Sequence, residues 1–221
     1  MPKQFDLLVF DWDGTLMDSA AAITSSLRAA CADLEQPVPS EERARYVIGL
    51  GLTDALKYVL PDFPQTGYPA LLERYRHHFT RQDRDTVLFS GVPEMLRALH
   101  DLGFTLAVAT GKSRRGLDRA LEVTGLKAIF HATRCGDEGF SKPHPGMLLW
   151  LLDELNVDRD RALMIGDTSH DMEMAVAADV ARLGVAYGAH PRENLLKHAP
   201  VACLDTFSEL PHWLKPHALQ A

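Results

Sequence analysis

The sequence predicts an α/β protein, a doubly wound parallel sheet interrupted by an inserted all-helical subdomain. Short apolar runs with little alternation recur along the chain, as FDLLVF (5–10), FTLAVAT (104–110), ALMIGD (162–167) and VARLGVAYG (180–188). Runs of that kind fit strands buried on both faces of a parallel sheet. From residue 88 onward they alternate with helix-like segments, as crossover units require. Residues 17–87, by contrast, contain helix-like stretches and no convincing strand.

Taken in order, FDLLVF ends at Asp11 and is followed by the helical block: SAAAITSSLRAACADL (19–34), EERARYVIGL (41–50), LTDALKYVL (52–60) and YPALLERYRHHFTRQ (68–82). Asp18 and Ser19 are expected to initiate the first of these helices, and Pro37, Pro39, Pro61, Pro64 and Gly67 mark the turns between them. Residues 93–102 carry Pro93 in the first turn and stop at Gly103, and residues 114–124 follow Ser113 as an N-cap and stop at Gly125. PGMLLWLLDEL (145–155) has one strongly apolar face, with Trp150, Leu151 and Leu152 in the core. SHDMEMAVAA (169–178) opens with a serine cap and acidic first-turn residues. AIFHATRC (128–135) and VACLD (201–205) are weaker strand candidates. The expected division is a core of residues 1–16 and 88–221 and an insertion of residues 17–87.

Composition narrows the class. With 221 residues the chain can bury a substantial core, and 46% hydrophobic with 24% charged residues is ordinary for a soluble globular protein. A formal charge of −7 and a pI near 5.8 argue against a surface that tracks nucleic-acid phosphates, but leave small anionic substrates open. The three cysteines, Cys31, Cys135 and Cys203, are widely spaced and show no zinc-ligand pattern, which points to a reducing cytoplasm. The opening MPKQFDLLVFD is too short in apolar residues for a signal-peptide core, and no apolar segment approaches the roughly 20 residues that span a bilayer. The expectation is a cytoplasmic monomer or homodimer with no nucleic-acid or membrane partner.

Ligands of open parallel sheets bind outside the carboxyl ends of the strands. Asp11 and Asp13 follow the first run, Thr110 and Gly111 the second, and Gly166 and Asp167 a third; Lys142 in SKPHPG and Asp171, one turn past Asp167, can join them. Four carboxylates offer oxygen ligands to a hard cation such as Mg²⁺, and the hydroxyl, N–H and ammonium groups suit an anion. With charge neutralised by metal and Lys142, one aspartate can serve as a nucleophile toward phosphorus. In extended backbone Asp11 and Asp13 point the same way and Trp12 turns into packing. Gly14 lets the chain turn sharply, and Thr15 can hydrogen-bond to fix that turn. An EF-hand calcium loop needs glycine at its sixth position, whereas Gly14 stands fourth. His170 reads as a surface residue of the cap turn. Lys112, Arg114 and Arg115 either touch a second anionic group of the substrate or form a solvated helix start. His77, His78, Arg74 and Arg76 read as a solvated face.

DWDGT, VATGK, the lysine of SKPHP and GDTSHD, in that order, resemble the four motifs of the haloacid dehalogenase-like (HAD) phosphatase superfamily, and the block at 17–87 resembles its cap inserted after the first motif. The resemblance covers essentially the whole chain and implies a Rossmann-like core. It implies that Asp11 is the nucleophile that forms an aspartyl-phosphate and that Asp13 protonates the leaving alcohol, then activates water. Mg²⁺ would be held by the Asp11 carboxylate, the backbone carbonyl of Asp13 and Asp167, with Asp171 at or just behind the metal. Thr110, the backbone at Gly111 and Lys142 would hold the phosphoryl group. The implied substrate is a small phosphorylated metabolite closed over by the cap, with Gly49 and Gly51 in a loop that enters the site. Three other readings stand beside it. The dehalogenase branch lacks the second aspartate. A sugar phosphomutase of the β-phosphoglucomutase type carries an arginine in the cap loop, where VIGLGLTDAL (47–56) has no cation and looks more like the phosphoglycolate phosphatase subgroup. A non-enzymatic phospho-accepting receiver is about half this length and has no such insertion.

Overall fold

Strand β1 (Leu7–Phe10) is buried at every position, and its four apolar residues face both ways because successive side chains in a strand alternate. In the computed structural model, which describes residues 4–82 and 86–218, β1 lies at the centre of a six-stranded sheet. The other strands are β2 (Thr105–Thr110), β3 (Ala132–Cys135), β4 (Ala162–Gly166), β5 (Ala181–Val185) and β6 (Ala202–Leu204). All pair in parallel in the order β3-β2-β1-β4-β5-β6, with Phe10 opposite Val108 on one side and Ile165 on the other. Strand order reverses beside β1, so the residues that follow β1, β2 and β4 open onto one crevice.

Two apolar layers sandwich the sheet. Leu8, Phe10, Leu106 and Val108 pack with α5 (Val92–Asp101), α6 (Arg114–Thr124) and α10 (Leu210–Ala218). Leu7, Val9, Ala107, Ala109 and Met164 pack with α7 (Gly146–Leu155) and α8 (Ser169–Ala178). A short α9 (Arg192–Leu196) precedes β6. Trp12, fully buried, extends the first layer and meets Phe130 edge-on at 6.4 Å. The helix ends follow local chemistry as expected: Ser113 accepts the Gly116 N–H at 3.3 Å, and Gly125 closes α6 in the left-handed region at φ 68°.

Between β1 and β2 lie four more helices, α1 (Ala20–Asp33), α2 (Glu41–Tyr46), α3 (Leu52–Val59) and α4 (Tyr68–Gln82). They enclose an apolar cluster of their own, which includes Leu27, Cys31, Val47, Leu56, Val59 and Leu71. The two connections to this block meet at a neck, where Met17 pairs antiparallel with Leu88, the Asp18 N–H reaches the Val87 carbonyl at 2.9 Å and the Phe89 N–H reaches Leu16 at 3.0 Å. Residues 83–85 of the expected insertion and the ends 1–3 and 219–221 of the expected core lie outside the described residues.

Some expectations shift. The helix expected over 41–50 stops at Tyr46, because Gly49 takes φ 92° in a tight loop. The strand expected over 128–135 shortens to Ala132–Cys135. Helix α8 is capped by Thr168 rather than Ser169, with the Asp171 N–H donating to Thr168 Oγ1 at 3.2 Å and Asp171 Oδ2 accepting the Thr168 N–H at 3.0 Å. Among the described residues no helix is long and apolar enough to cross a membrane.

Trp12 supplies a direct test of the first layer. Trp12→Ala is expected to lower the unfolding free energy by about 3–5 kcal/mol in urea titration. Trp12→Phe is expected to cost far less, since it keeps an aromatic ring and removes an indole N–H that has no partner in the core.

Candidate active site

Asp11, Asp167 and Asp171 are all fully buried, and one carboxylate oxygen from each lies within 4.8 Å of the others. Asp11 stands just past β1, Asp167 just past β4 and Asp171 in the first turn of α8, so the sheet and one helix end bring three like charges together. That juxtaposition is unfavourable without compensation. Lys142, 2% exposed, supplies it: its ammonium lies 2.9 Å from Asp11 Oδ1 and 2.7 Å from Asp171 Oδ1. Burial alone would lower the Lys142 ammonium, but the two carboxylates more than offset it and hold it above the usual lysine range.

Each acid has further partners. Asp11 Oδ1 also accepts the Trp12 N–H at 2.6 Å, while Asp11 Oδ2 has no hydrogen-bond partner. Asp167 Oδ1 accepts the Thr15 hydroxyl at 2.7 Å and Oδ2 accepts the Ala189 N–H at 2.7 Å. Gly14 stands so close that a Cβ there would lie 2.1 Å from Asp167 Oδ2, and its φ of 83° excludes most side chains as well. Burial raises the Asp11 carboxyl well above the usual range, opposed by Lys142 and reinforced by Asp171 and Asp167. Asp167 is pushed up to about 7 by burial and by Asp171, against its N–H and hydroxyl donors. If the three acids ionise, Lys142 still leaves two negative charges. Oxygen-only donors and a residual charge of that size together fit a hard divalent cation.

Asp13 has other partners. Its Oδ1 accepts the Ser19 hydroxyl at 2.6 Å, and the Lys112 ammonium lies 2.8 and 3.1 Å from its two oxygens. Asp13 therefore stands outside the three-carboxylate cluster, and any share in holding a cation falls to its main chain. Thr110 is fully buried at the end of β2, its hydroxyl accepting the Lys112 N–H at 3.2 Å. Gly111 lies under the loop after α2: a Cβ there would come within 2.3 Å of the Leu50 carbonyl oxygen.

That loop and the end of α2 are tied down at several points. The Gly51 N–H donates to Ser141 Oγ, beside Lys142, at 2.6 Å. Arg45 donates to the carbonyls of Ala189 and Gly188 at 2.7 and 2.6 Å. The Tyr46 carbonyl accepts from His170 Nε2 at 2.8 Å and His190 Nε2 at 2.9 Å, and its ring stacks on His190 with centroids 5.2 Å apart. Burial lowers both imidazoles, His190 to about 4, which suits neutral rings that donate from Nε2.

Four sequence expectations need correction here. Thr15 bonds to Asp167, not to its own turn. Ser19 occupies the N-cap position of α1 without capping it, because its hydroxyl is committed to Asp13. His170 is 4% exposed and is no surface residue, since α2 covers it. The start of α6 is not simply solvated: Lys112 turns inward to Asp13, and Arg114 reaches Glu138 at 2.9 Å. Ser19 left no signal, because only the tertiary turn brings it back to Asp13.

A family model described as haloacid dehalogenase-like hydrolase matches residues 8–185. The Dickeya dadantii protein described as "Probable phosphatase IndB" is 35% identical over 209 residues, covering 92% of this chain and 91% of that one. A phosphoglycolate phosphatase of Colwellia psychrerythraea is 29% identical over 217 residues, covering 94% and 96%. The crystal structure of a hydrolase from Pseudomonas syringae superposes with a TM-score of 0.86 at 21% identity, covering 94% of this chain and 97% of that one, which is a likeness of fold.

The raised carboxylates have a signed consequence. With a folded value above the unfolded 3.8, Asp167 holds its proton while the unfolded chain has lost it, so its contribution to stability falls as pH rises from about 4 toward 7. A divalent cation must displace that proton. Its stabilising effect in thermal unfolding is expected to grow from pH 5 to pH 7, by about 1.4 kcal/mol per pH unit for each proton released, and to level off above pH 8. A cation effect independent of pH would refute the assignment of these acids as its ligands.

Proposed function

This chain belongs to the haloacid dehalogenase-like hydrolase family, and on that premise we propose that it hydrolyses small phosphomonoesters with Mg²⁺ through an aspartyl-phosphate on Asp11. The observation that carries the reading is Asp11 Oδ2: a fully buried carboxylate oxygen with no hydrogen-bond partner, beside an ammonium and two further acids. Such a free lone pair can attack phosphorus once a bound cation joins Lys142 in offsetting the neighbouring acids.

In the first step Asp11 Oδ2 bonds to phosphorus as the ester P–O bond breaks, and the leaving oxygen takes a proton from Asp13. In the second, Asp13 removes a proton from water, whose oxygen attacks phosphorus and frees Asp11. The hydroxyl of Thr110, the N–H of Gly111 and the Lys142 ammonium hold the phosphoryl oxygens, so catalysis rests on position and fixed charge. The carboxylates of Asp11 and Asp167 and the main-chain carbonyl of Asp13, with Asp171 beside them, would hold Mg²⁺, which would supply charge neutralisation for nucleophile and phosphoryl group. Ser19 and Lys112 orient the Asp13 carboxylate toward the leaving group.

Residues 17–87 form the cap and residues 1–16 and 88–221 the core, a division supported by the neck at Met17 and Leu88 and by the separate apolar cluster of the four helices. The loop after α2, seated on Gly111, closes the crevice to bulk water. A site covered in this way favours a small soluble substrate, and phosphoglycolate is the first choice, supported by the Colwellia relative. Three cysteines without a disulfide support a reducing cytoplasm.

Phosphate release from a panel of small esters tests the proposal. Activity is expected to require Mg²⁺ and to fall to background in Asp11→Asn. In kcat/KM, which reports the first step, Asp13→Asn is expected to lose about 100- to 10,000-fold with alkyl esters and much less with p-nitrophenyl phosphate, whose leaving group needs no proton. Metal-independent hydrolysis that survives Asp11→Asn would sink the proposal.

A further inference from the structure

We propose that Lys112 selects the leaving group, making the enzyme specific for phosphate esters and anhydrides whose departing part carries a second anionic group next to the scissile bond. The inference rests on Asp13 as the acid that protonates the leaving oxygen. An atom receiving that proton must approach Asp13 to hydrogen-bond distance. The Lys112 ammonium already lies 2.8 and 3.1 Å from the two Asp13 oxygens, so a substituent bonded to the departing oxygen's carbon or phosphorus comes within its reach.

Lys112 is also placed where the leaving group must lie. It follows the end of β2, on the core side, yet its ammonium sits 4.8 Å from the ring centroid of Phe79 in α4, on the insertion side. Its side chain is only 10% exposed, so the charge is turned into the crevice. An ammonium has three N–H donors; Asp13 engages two, and one is left for another acceptor, with the Phe79 face adding to the field that retains the cation. Other cations described around the crevice are committed elsewhere. Lys142 lies between Asp11 and Asp171, Arg45 is on two main-chain carbonyls and Arg114 is on Glu138 and Asp118. Lys112 is thus the described cation with both the position and a donor to spare for a negative charge beyond the phosphoryl group.

The test compares three probes of similar size, phosphoglycolate, pyrophosphate and ethyl phosphate, in the wild type, Lys112→Gln and Lys112→Arg. For Lys112→Gln the ratio of kcat/KM for phosphoglycolate to that for ethyl phosphate is expected to fall about 10- to 100-fold, mainly through KM, and to recover in part in Lys112→Arg. A parallel fall in the pyrophosphate ratio assigns the selection to charge alone, and a fall for phosphoglycolate only assigns it to a carboxylate. Because each ratio is taken on one preparation, the fraction of folded protein cancels. Equal losses on all three probes would overturn the proposal while leaving an Asp11-dependent phosphatase intact. Absence of Asp11-dependent turnover of any probe by the wild type would instead overturn the function on which it rests.

Discussion

The Lys142 ammonium between Asp11 and Asp171 is the contact on which the rest of the site depends. Three carboxylates cannot be buried side by side on favourable terms, and surface residues could not remedy this, because the Coulomb term is large only where water is excluded. The chain meets the constraint with one cation and a set of fixed dipoles: the N–H groups of Trp12, Ala189 and Thr168 and the hydroxyl of Thr15. Each of these donors comes from the segment just beyond a strand or from the opening of α8, so the sheet has to form before the acids can be tolerated. Fold and site are for that reason a single energetic problem.

The insertion is part of the same problem. Arg45 and the Tyr46 carbonyl engage the stretch Gly188–His190, and the Ala189 N–H of that stretch holds Asp167. His170, one residue before Asp171, donates to the same Tyr46 carbonyl. The helices that cover the crevice therefore touch, through one intervening residue, two of the three clustered acids. A small apolar contact among Ala20, Ile48 and Ala189 fills the space between them.

Much of this was legible in the sequence, for physical reasons that differ by residue. Leu7 to Phe10 could be recognised as a central strand because burial on both faces removes the alternation that an exposed face would impose. The convergence of Asp11, Asp167 and Asp171 could be foreseen because acids after buried strands are rarely tolerated without work to do. The failures share a cause as well. Ser19, His170 and Thr15 are polar residues whose partners lie far along the chain or across a turn that local propensity does not specify, and each has an ordinary local alternative as cap, surface or turn residue. Thr168 displaced Ser169 as cap because Asp171 could reciprocate only from the third position of the helix.

The pairing of Met17 with Leu88 has a consequence for how such a chain tolerates change. Entry to and exit from the helical block are held side by side by backbone hydrogen bonds, so the sheet experiences the whole excursion as a loop already closed. Closure entropy rises only with the logarithm of loop length, about 0.6 kcal/mol for each doubling. Helices can be lengthened, shortened or exchanged above that pair at little entropic penalty to the strands below it. The part of the molecule that covers the crevice is thus the part whose length the fold least constrains.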